Sequence, residues 1–416
     1  MKPVTRQTVS LSIGILAGVC LIEVCWARVW TDVQGRKVDA TLVSHDQSEV
    51  IVRLKNGKNA TIPLGRLSEE DQQFLSDGGT EPPANDSPED PNGAGKPGGS
   101  VGSEDETSLN WNEPWPTNVP FKENPEIEVI REDADAKQFV YESTNYRFTC
   151  DVRLSKSVVS TFADMFETTR LYCRALPLAI SGGVKHDGKY DILLFAEKDD
   201  YIKAGGPPTS AGVFIGGKNV VMVPLGSLGV KKVGSGYMRD RDKSDGTLVH
   251  ELTHQLTPYE YFKSGARGWF TEGLAEYLTS TPYRSGRFKV KGNLDDIIAY
   301  ATGYGKKDTR GRALGENIHA PRLKDFMLMS YGNFTGSKAN FNYGFGLVLT
   351  TYYMVMDGEG DAARLKEFLK ELRRSGRKED STTAIEKLLD GRSFEQMEDD
   401  ISKAWKRKGV KISFGS

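Results

Sequence analysis

The order of apolar and polar positions divides the chain into four stretches. An apolar run from about Val9 to Val24 follows Lys2 and Arg6, and small residues flank a cleavage point after Ala27. This pattern predicts an export signal over 1–27. The competing reading is a membrane anchor, which calls for about 20 uninterrupted apolar residues, whereas this run carries serines, glycines and Glu23. Leu16-Ala17-Gly18-Val19-Cys20 approaches a lipoprotein box, but Val19 is a poor residue before a lipidated cysteine.

The second stretch, 28–76, alternates in the manner of short strands: Val38 to Val43, Val50 to Leu54 and Ala60 to Leu64. Asn56-Gly57 is a tight-hairpin signal, and Ser68 caps a short helix predicted from Glu69 to Leu75. Together these predict a small all-β, SH3-like barrel. Residues 77–110 are Gly, Pro, Ser, Asp and Glu with few apolar positions, a composition that cannot bury enough surface to order itself and predicts a flexible linker.

From 111 to 416 the pattern is α+β. Trp111 and Trp115 are expected to anchor the core. Phe139-Val140-Tyr141 and Tyr146 to Cys150 predict paired strands, Val158 to Leu176 a helix, Ile192 to Phe195 a buried strand, and 212–223 a hairpin around Gly216-Gly217. Beyond Thr247 the chain turns mostly helical.

Composition changes this picture little. Lys+Arg 55 against Asp+Glu 57 gives a net charge of -2, which supplies no electrostatic case for nucleic acid or an anionic membrane. Cys20 and Cys25 would leave with the signal, and Cys150 and Cys173 are compatible with either a disulfide or two buried thiols. The Lys231-Lys232 and Arg239 to Lys243 segment reads as a solvated loop or a lid.

Histidine adds more, because only five occur. His250-Glu251-Leu252-Thr253-His254 places two imidazoles four apart, on one face of a helix. Chance would supply roughly 0.004 such His-Glu-x-x-His matches in this composition. Both nitrogens can then reach one Zn2+, while Glu251 points far enough round to miss the metal and face a water activated there. Glu272, on the amphipathic segment Trp269 to Tyr277, can complete a His2Glu site. Glu276, one turn later, can accept the outer N–H of a ligand histidine. His45, His186 and His319 are scattered and expected to be ordinary surface or core residues.

The 247–278 segment resembles the gluzincin, or peptidase MA-like, zinc metallopeptidases: His250-Glu251-Leu252-Thr253-His254, then 17 residues, then Glu272-Gly273-Leu274-Ala275-Glu276-Tyr277. The resemblance implies a zincin-like domain over 111–416, in which a mixed sheet accompanies the helices carrying the motif. It also implies His250, His254 and Glu272 as zinc ligands, Glu251 as general base and a peptide or protein substrate. Tyr343, opening Tyr343-Gly344-Phe345-Gly346, matches a tyrosine that such enzymes aim at the oxyanion. The chain lacks the Gly-Ala-Met-Glu-Asn segment of neutral aminopeptidases, so an endopeptidase is expected, with an extended peptide lying along the edge strand Ala211 to Ile215.

The 28–76 segment resembles the Sla-type homology domain through Arg28-x-Trp30-Thr31-Asp32, Gly35, Asn56-Gly57-Lys58 and Ile62-Pro63-Leu64. That implies a module for a peptide or cell-wall ligand. The pairing of the two domains is similar to that in exported proteins of planctomycete-type bacteria, and implies a secreted or periplasmic location. The alternative is a non-catalytic, zinc-stabilised cell-surface or periplasmic binding protein that uses the barrel for recognition.

Overall fold

The structure, a computed structural model, describes residues 27–45, 49–54, 58–68, 71, 109–121, 124–208, 210–240, 246–284, 286–303, 311–375 and 381–415. Residues 1–26 of the expected export signal, the Asn56-Gly57 turn, the linker over 77–108 and all but Asp71 of the short helix at 69–75 lie outside the described residues. Contacts divide the chain into two units, Met1–Gln72 and Gln73–Ser416.

The first unit is an antiparallel meander of β1 (Ala27–Thr31), β2 (Lys37–His45), β3 (Glu49–Leu54) and β4 (Asn59–Pro63), paired in chain order. Trp30 is its anchor: the indole is 1% exposed and its Nε1 donates to Ala40 O at 3.0 Å. The β1–β2 turn closes on Asp32, whose Oδ1 accepts the Gln34 and Arg36 N–H groups, and Gly35 supplies the positive φ of 78°. Among the described residues the sheet stays open, unlike the expected barrel. β1 and β4 remain its two edges, and the chain beyond β4 returns to the end of β1 through the bridge Asp32–Leu67 and through Asp71, whose Oδ2 accepts the Thr31 N–H at 2.6 Å.

The second unit is mixed α and β, and its first strand is the short β5 (Asn118–Pro120). Its six-stranded sheet has the order β10-β11-β9-β8-β7-β6. These are β6 (Glu128–Asp133), β7 (Gln138–Glu142), β8 (Tyr146–Cys150), β9 (Tyr190–Phe195), β10 (Val213–Ile215) and β11 (Val220–Pro224). β8, β9 and β11 run parallel, and the rest pair antiparallel. Helix α1 (Lys156–Ala175) links the parallel pair β8 and β9. It is capped by Ser155 and buries Phe162 and Phe166 edge-on against Phe148. Trp111 joins this core, with Trp115 packed at its margin. β10 is the edge strand, reached through α2 (Lys198–Lys203).

Two helices carry the metal-type motif: α3 (Gly246–Leu256) and α4 (Trp269–Ser280). After α5 (Leu294–Thr302), α6 (Leu323–Met327) and the single turn α7 (Tyr331–Phe334) comes α8 (Ala339–Val355), apolar nearly all round and buried along most of its length. α4 and α8 touch backbone to backbone. A Cβ on Gly273 would stand 2.3 Å from Gly346 O, so only glycine permits this spacing. Helices α9 (Ala363–Arg374), the short α10 (Ile385–Leu389) and α11 (Phe394–Lys406) follow, and a last strand, Lys411–Gly415, pairs parallel with Asn317–Pro321.

Cys150 and Cys173 are separate buried thiols, not a disulfide, and burial pushes both up to about 12. Among the described residues no helix is long and apolar enough to cross a membrane.

Candidate metal centre

The four-residue spacing on α3 brings His250 and His254 side by side, with Nε2 atoms 3.1 Å apart. Glu272, from the first turn of α4, places Oε2 at 3.1 Å from His250 Nε2 and 3.2 Å from His254 Nε2. All three side chains are buried. Tetrahedral zinc with bonds of about 2.1 Å needs donors roughly 3.4 Å apart, so this triangle fits with a small opening.

The charges point the same way. His250 Nδ1 faces Glu276 Oε1 at 3.0 Å, which assigns the N–H to that side and turns the Nε2 lone pair toward the other two donors. Three donor atoms therefore converge in a buried site, where a proton or a metal ion between them answers the carboxylate charge. Burial opposes charge on His250, but Glu272 and Glu276 outweigh it and raise the imidazole to about 10. Burial likewise opposes the Glu272 charge, and the imidazoles hold its carboxyl far below the usual range. The buried group His250, His254 and Glu272 can hold a metal ion.

Glu251 stands apart from the triangle, as its helix position requires. Its Oε2 accepts the Phe214 N–H from edge strand β10 at 2.8 Å. Burial raises its carboxyl above the ordinary glutamate value, while the two imidazoles and that N–H oppose the rise. A carboxylate moved upward toward neutrality is better matched to taking and returning a proton.

Glu276 is completely buried. Besides His250, it receives Arg312 in a forked grip: Nε donates to Oε2 at 2.7 Å and Nη2 donates to Oε1. Burial would raise this carboxyl, but the His250 and Arg312 hydrogen bonds outweigh it and hold it down to about 2. His254 shows no comparable support, since its buried Nδ1 finds no hydrogen-bond partner among the described residues.

Two tyrosines flank the donors. Tyr343, on α8, lays its ring on His250 with centroids 5.8 Å apart, and the Arg312 guanidinium covers it at 4.8 Å. Tyr331, on α7, donates its hydroxyl to Glu272 Oε1 at 2.9 Å. Burial pushes both phenols well above 10, which keeps them protonated as donors.

The sequence motifs thus bring together His250, Glu251, His254, Glu272, Glu276 and Tyr343. Three contributors escape sequence reading: Tyr331, Arg312 and the Phe214 amide. Each arrives from a loop, an isolated turn or a strand edge, with no spacing that ties it to α3 or α4. His186 pairs instead with Asp191 at 2.5 Å and His319 with Ser413 at 2.8 Å, both exposed, while the His45 side chain lies outside the described residues. Lys231 and Lys232 are exposed on strand β12 (Val230–Val233). Arg239 is tied down by Leu228 O at 3.1 Å and by Thr161 O of α1, and 241–243 lie outside the described residues.

No protein-family model and no curated protein matches this sequence.

Proposed function

We propose that this chain is an exported zinc-dependent peptidase of gluzincin type, acting as an endopeptidase, with a zincin-like second unit. His250, His254 and Glu272 would hold the zinc. The observation that carries the reading is Glu251: a carboxylate on the ligand helix, excluded from the donor triangle, raised by burial and linked to a sheet edge. A site that only stabilised the fold would have no use for such a base.

Bound zinc would supply Lewis acidity toward a water and a scissile carbonyl. The chain's own groups supply the rest. Glu251 accepts the proton of the attacking water and returns it to the leaving amine. Tyr343, protonated and stacked on His250, donates its hydroxyl to the oxyanion, a contribution of roughly 3 kcal/mol in comparable sites. Glu276, held by Arg312, keeps the His250 N–H in place and its other nitrogen free to bind metal. A peptide laid in extended form along the outer edge of β10 would be aligned by strand addition beside the Phe214 N–H that holds Glu251.

For the first unit the proposal is an SH3-like, Sla-type module binding a peptide or cell-wall ligand. The meander around Trp30 and the Asp32–Gly35 turn support it.

The test compares the wild type with Glu251→Gln on a diverse peptide library, with zinc content measured in both. The expected result is cleavage by the wild type that chelation abolishes and zinc restores. The variant should keep its zinc and lose about 10³-fold or more in rate. Equal background cleavage by both zinc-loaded proteins would overturn the peptidase reading and leave a zinc-stabilised binding protein.

A further inference from the structure

We infer that Tyr331 is a positioning residue: it reserves one oxygen of Glu272 so that this carboxylate meets a metal through the other alone. The inference rests on the metal-site reading above, not on peptide cleavage. Glu272 Oε2 is the atom shared by the two imidazole nitrogens, at 3.1 and 3.2 Å, whereas Oε1 accepts the Tyr331 hydroxyl at 2.9 Å. The two oxygens of one carboxylate therefore have separate partners.

Local structure fixes that division. Tyr331 opens the single turn α7, whose Ser330 cap accepts the Asn333 N–H at 3.4 Å. At the other end, Phe334 packs against Gly268, the residue that starts α4. A Cβ on Gly268 would lie 2.9 Å from the Phe334 ring, and the backbone there needs a φ of +92°. Phe334 O also accepts Asn342 Nδ2 of α8 at 2.7 Å. The turn bearing Tyr331 is thus wedged against the helix bearing Glu272. Arg267, just before Gly268, closes the cage by stacking its guanidinium on the Tyr331 ring at 4.3 Å.

The chemistry follows from counting ligands. Two imidazoles and one carboxylate oxygen leave a tetrahedral zinc with a fourth position open. A chelating carboxylate would crowd that position. A hydroxyl hydrogen bond to the charged Oε1 removes its incentive to chelate, since bonds to charged acceptors are among the stronger ones in proteins. Tyr331 therefore keeps a coordination position free for a water or a substrate oxygen, without touching either.

Cobalt(II) replaces zinc as a visible probe, because its bands weaken when four-fold coordination expands to five-fold. Tyr331→Phe should lose band intensity and bind zinc about 10-fold more weakly. Arg267→Met keeps the hydroxyl and loosens only the ring, so it should show a smaller change in the same direction, even if Tyr331→Phe fails to fold. A Tyr331→Phe spectrum and zinc affinity identical to wild type would overturn the inference, as would an unchanged Arg267→Met spectrum should Tyr331→Phe not fold. If the spectra shift but the wild type cleaves no peptide, this inference stands and the peptidase reading falls. Failure of the wild type to bind either metal removes both.

Discussion

Glu276 on α4 and Asp357 just beyond α8 are both buried carboxylates gripped by arginines. Asp357 Oδ1 accepts Arg364 Nη1 at 3.0 Å, Arg392 Nη1 at 3.2 Å and the Tyr352 hydroxyl at 3.1 Å. Those arginines also meet Asp390 at 3.0 Å and Asp400 at 3.2 Å. Every charge in that network is answered, and its effect is to bind the end of α8 to α9, α10 and α11. The Glu276 network begins in the same way, with a forked arginine, but ends differently. It runs into His250, whose Nε2 converges with Glu272 Oε2 and His254 Nε2. A buried ion pair alone is poor evidence of function; the convergence of three donor atoms from two helices is what marks a site. A cleft of about 700 Å³ lies over Arg364, Lys387 and Arg392 rather than over the metal-type residues. Because the arginines there are already paired, we assign it no chemistry.

The comparison can be broken by mutating each end. Glu272→Ala should weaken zinc binding by about 10³-fold or more, since one of three ligands is gone. Asp357→Ala should leave zinc affinity unchanged and lower stability by about 3–5 kcal/mol, because two arginines lose their buried partner. Calorimetric titration with zinc and urea unfolding separate the two effects, and a metal-binding defect in Asp357→Ala would erase the distinction.

A gentler cut is Glu276→Gln, which keeps an acceptor for His250 and removes the charge. Zinc affinity should fall about 10- to 100-fold, with the Asp357 network untouched. A further effect appears in acid. The metal-free protein holds the Glu276 carboxyl at about 2 against an ordinary 4.5. A depressed carboxyl contributes stability that is complete above 4.5 and lost as pH falls toward 2. Unfolding of the metal-free protein followed across that window should show this loss, and Glu276→Gln should flatten it.

How much of this was legible in the sequence depends on how local each relation is. The pairing of His250 with His254, and of Glu272 with Glu276, follows from helical spacing inside a single element. β7 with β8, and α1 from Lys156 to Ala175, were equally local. Arg312 lies 36 residues from Glu276 and Tyr331 lies 59 from Glu272. Their roles depend on how loops fold back over α4, which no periodicity records. The Phe214 amide could not be seen either, because a backbone N–H carries no residue signature. The open meander of the first unit shows the same limit: alternation predicted its strands, but closure depends on contacts between the two edges.

The Gly273–Gly346 contact gives this site an unusual kind of tolerance. Glu272 and Tyr343 ride on two different helices, and the distance between those helices is set by atoms that are missing. Side chains in a packed core can yield by rotating, but a backbone pressed on a backbone has no such freedom. One added methyl at Gly273 would shift the ligand and the phenol apart together, so the centre should fail abruptly rather than by degrees. The neighbour of a ligand can thus be as demanding a position as the ligand itself, although it offers no atom to the chemistry.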